Sequence, residues 1–424
     1  MSGNPLKVGI IGIGGFAAAH HRVIYELEKK QVLKLICTCD INLENLKPLI
    51  EKFQFRERNV EIFISYTDML EKFYKKLDFI TIPAPIHLHA EMHAECVRRQ
   101  IPVHLEKPPT LDYQQLLEMM KLDSFNRKKT NVGFNFIIQN LRQKIKQRIL
   151  DGEFGSIEKI TFIGMWPRPV SYFKRSTWAG RLTLNGKIVL DSCLGNAISH
   201  YVQNILFWCG KDGIFSYDPI EIVQAELYRA NNIQGTDTVF VNASTKNVPE
   251  LRISLTHACD EKTNDIERIY CENATIHFEG YAHAESGTFV RCEIQWKNGK
   301  KEMVIEPNGE LLLENITHYL DYIGGKIHQP LIPLIHTEPF VMLNGLAYIS
   351  AKRIHQIPED HLDITKNEKG EIFFAIKEIK KISQHFIDTG LFPSQQGLKW
   401  GKSTGAASRK EIGKLQQTIL EMAK

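Results

Sequence analysis

Apolar positions over the first 110 or so residues recur in two alternating rhythms. Short β-branched runs at 7–11, 33–39, 60–65, 79–82 and 103–105 read as strands. Between them, 16–29, 43–53, 68–76 and 88–99 carry apolar residues at helical spacing and have helical length. Such alternation is the pattern of βαβ units, and an α/β domain with a doubly wound parallel sheet is the economical assembly. The rhythm continues beyond Pro108 with a helix near 111–122, a strand at 131–136 and a helix near 140–150.

From Ile157 to Glu306 the pattern changes. Longer strand-like segments at 159–165, 220–228, 238–243, 251–257, 267–278 and 289–296, with one helix near 196–209, predict an α+β domain with a large, mostly antiparallel open sheet. Helices at 311–323 and 339–356 follow, then a tail with a helix near 373–386. The Gly-, Ser- and Lys-rich stretch 392–408 is either a wrapped arm or loose. The expected organisation is a dinucleotide-binding domain over 1–128, a substrate and oligomerisation domain over 129–360, and a C-terminal extension of helix plus arm over 361–424.

A chain of 424 residues suits two or three domains, and 43 % apolar with 24 % charged residues excludes wholesale disorder. The net charge of +4 is too small to mark a nucleic-acid binder. The longest early apolar stretch, 8–19, is short and glycine-broken, so neither a membrane span nor a leader is expected. Eight scattered cysteines, the nearest pair being Cys37 and Cys39, match no redox or zinc spacing, and free thiols in a reducing cytoplasm are the expectation.

Candidate chemistry begins at Gly12-Ile13-Gly14-Gly15-Phe16-Ala17, which follows a strand and opens a helix, as a dinucleotide fingerprint requires. Gly12 permits the tight turn, Gly14 lets backbone approach a pyrophosphate, and Ala17 lets helix and strand pack closely. The helix start at Gly15 and Phe16 offers N–H groups and a positive dipole end to phosphates. Asp40 ends the second strand near where an acid accepts the adenosine ribose hydroxyls; a helix cap before Leu43 is the alternative. Its neighbours Ile41 and Asn42 supply no cation for a 2′-phosphate, so NAD is expected over NADP.

The fourth strand ends in Thr81-Ile82-Pro83-Ala84-Pro85-Ile86-His87 and the fifth in Leu105-Glu106-Lys107-Pro108, both at the carboxyl edge where open α/β sheets bind ligands. The order GIGGFAAAH, CD, IPAPIH, HLEKP, NVGFNF over about the first 140 residues resembles the Gfo/Idh/MocA family, the relatives of glucose-fructose oxidoreductase and inositol dehydrogenase. The resemblance implies a Rossmann domain followed by an open antiparallel sheet domain, with nicotinamide and substrate in the cleft between them. It places Lys107 beside the reacting hydroxyl and Glu106 beside the nicotinamide, with Pro83 and His87 lining the cofactor site. His20 also matches the family pattern. An ammonium such as Lys107 can hold a substrate oxygen and, when desolvated, exchange its proton; a surface lysine paired with Glu106 is the plainer reading.

The family's second element is an Asp followed four residues later by His. Here His200 is the counterpart of the histidine, but Asn196 stands four before it and the nearest acid is Asp191. Asn196 and His200 are expected on one helix face. An amide cannot take a proton, so the base role would fall on His200, with Lys107 or Asp191 assisting, unless His200 is a buried structural residue. Ahead of Asp191, Trp166, Arg168, Tyr172, Lys174, Arg175, Trp178 and Arg181 form a cationic and aromatic set. Arg168, Tyr172 and Trp178 are candidate substrate contacts for a sugar or polyol, or anchors of a polar loop. Arg142 is a further possible anchor. His87, His89 and His93 match no zinc spacing, so no metal is expected. The basic tail around Lys399, Lys402, Arg409 and Lys410 reads as a solvated surface.

These readings converge on an NAD-dependent oxidoreductase of the CH–OH group of a sugar, sugar derivative or cyclitol. The alternatives are a redox-neutral NAD-dependent glycoside hydrolase and a catalytically inert sugar or dinucleotide sensor. The resemblance implies a homo-dimer or homo-tetramer, while the small net charge and the short apolar runs predict neither a nucleic-acid nor a membrane partner.

Overall fold

The computed structural model describes residues 5–284 and 287–424. Two compact units divide them: 5–110, Gln114–Asn135 and Glu310–Thr337 form the first, and Leu111–Tyr113, 136–284, 287–309 and Glu338–Lys424 the second.

In the first unit β1 (Leu6–Ile11), β2 (Leu33–Cys39), β3 (Glu61–Phe63), β4 (Phe79–Ile82), β5 (Val103–Leu105) and β6 (Asn131–Val132) build a parallel sheet in the order β3-β2-β1-β4-β5-β6. Strands β1, β4 and β5 are almost wholly buried, as crossover helices on both faces require. The order reverses between β1 and β4, so their carboxyl ends flank the crevice where such sheets bind ligands. Helix α1 (Ala17–Lys29) turns Val23, Ile24 and Leu27 into a core shared with Val8, Ile10, Leu35, Phe55 and Phe79.

The domain boundaries expected from sequence need two corrections here. Helix Leu311–Ile323 belongs to the first unit, because its stripe of Ile316, Tyr319 and Leu320 completes that same core. Residues 361–424 also form no separate body but lie within the second unit.

The second unit is built on a ten-stranded mixed sheet. Central strand Ile157–Met165 pairs parallel with Leu251–Thr256 and antiparallel with Ile266–Cys271. Antiparallel pairing then extends through Ala274–Ala284, Gly287–Trp296 and Lys301–Pro307 on one side, and Thr238–Thr245 and Ile220–Arg229 on the other. The single run expected at 267–278 is two strands, broken where the N–H groups of Glu272 and Asn273 turn to Ser156 and Phe154 carbonyls.

Two helices depart from the bounds their apolar spacing suggests, one by ending early and one by starting late. Lys352, at φ +56°, stops Glu338–Ala351 and lets Ile354–Gln356 join the sheet edge. Glu378, at φ +59°, separates strand Ile372–Ile376 from helix Ile379–Thr389. Between the two readings of 392–408, the structure shows the wrapped arm. Phe392 and Trp400 are buried, Ser394 donates to Glu226, and Ala407–Ser408 pairs with Ile222 and Val223. No helix among the described residues is long and apolar enough to cross a membrane.

Candidate active site

The glycine turn sits directly on the carboxyl end of β1. Gly12 has φ +118°, and a Cβ there would stand 3.2 Å from that of Ala17 and 3.6 Å from the Pro83 carbonyl oxygen. The two turns therefore lie against each other with room for hydrogen only. His21 donates its Nε2–H to the Gly12 carbonyl at 3.0 Å from a fully buried position, and that burial pulls its pKa down to about 3. A permanently neutral imidazole thus pins the turn, a role the sequence reading did not assign although His21 follows His20 directly. Among the described residues no protein group takes the N–H of Gly15 or Phe16, and the space around Gly15 is open. Free donors at a helix start are what a pyrophosphate needs.

Asp40 Oδ2 accepts the N–H of Ile13 at 3.0 Å and of Gly14 at 3.3 Å, and Oδ1 accepts that of Asn42 at 3.1 Å. The helix-cap alternative for Asp40 is not what forms, since the cap position before Leu43 is Asn42. The carboxylate instead bridges the β2 end to the glycine turn and keeps lone pairs for ribose hydroxyls. A dinucleotide fits these residues: open donors at Gly15 and Phe16, a side-chain-free turn at Gly12, and an acid at the β2 end.

Beneath the turn lies a buried polar layer. Glu106 ends β5, is 5 % exposed, and accepts from His20 Nε2 through Oε1 at 2.9 Å and from the Lys107 N–H through Oε2 at 3.1 Å. Burial works against its charge, but the His20 hydrogen bond and the His20, His104 and Lys107 charges outweigh it and hold the carboxyl at about 2. Gly133 makes the layer possible, because a Cβ there would stand 2.9 Å from Glu106 Oε1. The EKP and VGF motifs are thus one packing unit. His104 faces Asn315 at 3.0 Å, and Asn131 donates to the same Asn315 oxygen at 2.7 Å.

Lys107 follows Glu106 and is half-buried, as is His87 in the first turn of Ile86–Arg98. His89 Nδ1 lies 2.8 Å from the Pro108 carbonyl and Nε2 lies 2.7 Å from that of Ala84, so it ties the Pro83 and Lys107 turns together. His93 bonds Thr130 at 2.9 Å.

In the second unit Asp191 is buried and saturated. It accepts from the Gly180 N–H at 2.8 Å, from Asn196 Nδ2 at 2.7 Å and from Arg175 Nη2 at 3.2 Å. Asn196 and His200 do not share one continuous helix, which corrects the sequence expectation. Asn196 lies in a π-turn over Cys193–Ala197, where the Ile198 N–H reaches Cys193 and Ser192 caps Gly195, and a regular helix begins only at Ser199. His200, half-buried in that first turn, stacks on Phe136 at 4.8 Å.

The cationic and aromatic set packs on itself. Arg168 lies over Trp166 and Tyr172, and Arg175 lies 3.9 Å from the Tyr172 ring centre and 4.8 Å from that of Trp178. Arg175 thereby links this ladder to Asp191. Trp166 donates to Asp265 at 2.8 Å, and burial lifts that carboxyl to about 6 against this bond. Arg142, expected as a possible anchor, is no such thing. It is fully buried and paired through both Nη atoms with Glu267 at 2.7 and 2.9 Å.

Comparison with known proteins adds a second line. Residues 6–134 match the family model described as oxidoreductase family, NAD-binding Rossmann fold. Inositol 2-dehydrogenase of Rhizobium meliloti is 22 % identical over 40 % of this chain and 49 % of its own. D-glucoside 3-dehydrogenase of Escherichia coli is 26 % identical over 37 % and 42 %. The chain thus spans about half the length of the curated relatives it matches. Among solved structures, the WlbA dehydrogenase of Bordetella pertussis, in complex with NADH and UDP-GlcNAcA, superposes with a TM-score of 0.65 at 20 % identity, covering 82 % of this chain and 97 % of that one. At that identity the likeness concerns the fold.

Proposed function

Residues 6–134 make this chain a member of the Gfo/Idh/MocA oxidoreductase family, and from that premise we propose an NAD-dependent dehydrogenase acting on a secondary alcohol of a sugar, sugar derivative or cyclitol. The observation that carries the reading is the Glu106–Lys107 turn at the carboxyl end of β5, the strand beside β4 of the switch point, with Glu106 anchored by His20 from the helix that opens at the glycine turn. The substrate class is supported by the relatives' names, which are dehydrogenases of inositol and glucosides.

In this reading Gly15 and Phe16 N–H groups take the pyrophosphate and Asp40 the ribose hydroxyls, with NAD favoured because Asp40 would repel a 2′-phosphate. Bound there, the nicotinamide supplies a two-electron hydride acceptor. Lys107 holds the substrate oxygen and stabilises charge developing on it. Glu106 keeps Lys107 in register through its backbone N–H. Asp191, fully engaged, positions Asn196 and Arg175 and exchanges no proton.

The test is NADH formation, followed by its own absorbance, across sugars, cyclitols and sugar acids, with NADP in parallel. Turnover with NAD that falls at least about 100-fold in Lys107→Ala is the expected result. No turnover with any compound despite measurable NAD binding would overturn it in favour of a redox-neutral or inert protein.

A further inference from the structure

The segment 166–181 divides its side chains between two environments. Arg168, Tyr172, Arg175 and Trp178 stack on one another, whereas Phe173, Lys174, Ser176 and Arg181 line a cavity of about 790 Å³. Across it stand Arg229 and Asn231, and the hairpin Leu362–Lys366 and Ile372–Ile376 contributes Ile372 and Phe374. The C-terminal region thereby supplies one wall.

The chemistry of the lining is one-sided. Three cations line the cavity and, among the described residues, no carboxylate does. Arg229 is held by the Ile233 carbonyl at 2.7 Å and by Gln356 at 3.2 Å, while Lys174 and Arg181 are exposed and form no ion pair among the described residues. Asn231 is 1 % exposed and spends its Nδ2 on Asp237, leaving its Oδ1 buried without a donor. Ser176 Oγ is likewise buried and unpartnered. Both atoms lie under the cavity wall, so the surface offered to a ligand is that of the cations and of the Phe173 and Phe374 rings.

We propose that this cavity binds a phosphorylated polyhydroxy compound. The cations take the phosphoryl oxygens, and Phe173 and Phe374 cover the C–H faces of the polyol. The site lies within the second unit and stands independently of any turnover at Lys107. Its walls are pre-formed, since Gln234 accepts the Leu182 N–H at 2.9 Å and the Gly235 N–H reaches the Gly180 carbonyl at 2.7 Å.

Titration calorimetry of the full chain without dinucleotide tests it, with ribose 5-phosphate as the whole probe and ribose and inorganic phosphate as its halves. Ribose 5-phosphate should bind one per chain and more tightly than either half. Lys174→Ala and Arg181→Ala, both exposed and safe for folding, should each weaken it about tenfold, and Lys107→Ala should leave it unchanged. Absence of binding by any probe, equal binding by wild type and both cation variants, or loss of binding in Lys107→Ala would overturn the proposal. Equal affinity for inorganic phosphate and ribose 5-phosphate would overturn its polyol part.

Discussion

His20 Nε2 lies 2.9 Å from Glu106 Oε1, and both groups are buried beneath the glycine turn. The pair joins the first helix to the end of β5 and so ties the glycine turn to the Lys107 turn. Glu106 sits at about 2 against an ordinary 4.5, so its contribution to folding is complete above pH 4.5 and is lost as pH falls toward 2. That contribution is on the order of 3 kcal/mol. Glu106→Gln should therefore lower the urea midpoint near neutral pH, with the gap to wild type closing as pH falls. A gap constant across that range would show that the carboxylate charge is not what stabilises the turn.

Gly133→Ala tests the fit between motifs. Its Cβ would stand 2.9 Å from Glu106 Oε1, an atom already fixed by His20. Overpacking against a tethered group should cost about 1–3 kcal/mol. Because the cost arises through Glu106, the double variant with Glu106→Ala should be less destabilised than the two single losses added together. Thermal melts of the four proteins decide this.

Asp40→Asn should relax cofactor choice. The amide removes the negative charge that opposes a 2′-phosphate, yet its oxygen still accepts the Ile13 and Gly14 N–H groups seen at 3.0 and 3.3 Å. The ratio of kcat/KM for NAD over NADP should fall about tenfold or more, with a loss of about 1 kcal/mol in stability because the amide nitrogen cannot accept the Asn42 N–H. An unchanged ratio would detach Asp40 from the ribose.

The first unit was legible because its signals are local. Glycine at φ +118°, a β-branched strand and an apolar helix stripe each announce themselves within a few residues, and the order of five motifs added the family. The second unit hid its logic in long-range pairs. Arg142 looks like a ligand anchor until Glu267, 125 residues away, neutralises it. Asp191 looks like a free base until Arg175 and the Gly180 N–H saturate it. Helix 311–323 kept its boundaries but changed unit, since spacing defines an apolar face without naming the core that receives it.

Arg142 provides a stability prediction that separates structure from binding. Its guanidinium and the Glu267 carboxylate are fully buried, and Glu267 also accepts from Asn204 at 2.9 Å and Trp208 at 2.5 Å. Removing the cation strands a buried charge, so Arg142→Met should cost about 3–5 kcal/mol. Arg142→Met with Glu267→Gln should recover part of that loss. Any turnover measured below the lowered Tm should keep its KM, and a raised KM at full folding would return Arg142 to the substrate.

The departure at Asn196 yields the sharpest test of the second unit. Its Nδ2 donates to Asp191 Oδ1 at 2.7 Å, which is a hydrogen bond between an amide and a carboxylate. Asn196→Asp, which restores the family's residue, would bring two carboxyls within hydrogen-bond distance, and such a pair keeps one proton between them. Arg175 at 3.2 Å offsets only part of the repulsion, because it already serves Asp191. The raised carboxyl pKa stabilises the fold below its ionisation and ceases to do so as pH rises through it, so the variant should lose Tm relative to wild type on going from about pH 5 to pH 8. If the Tm difference is instead independent of pH, Asp191 and the new carboxyl are screened from each other and the amide at 196 serves no electrostatic purpose.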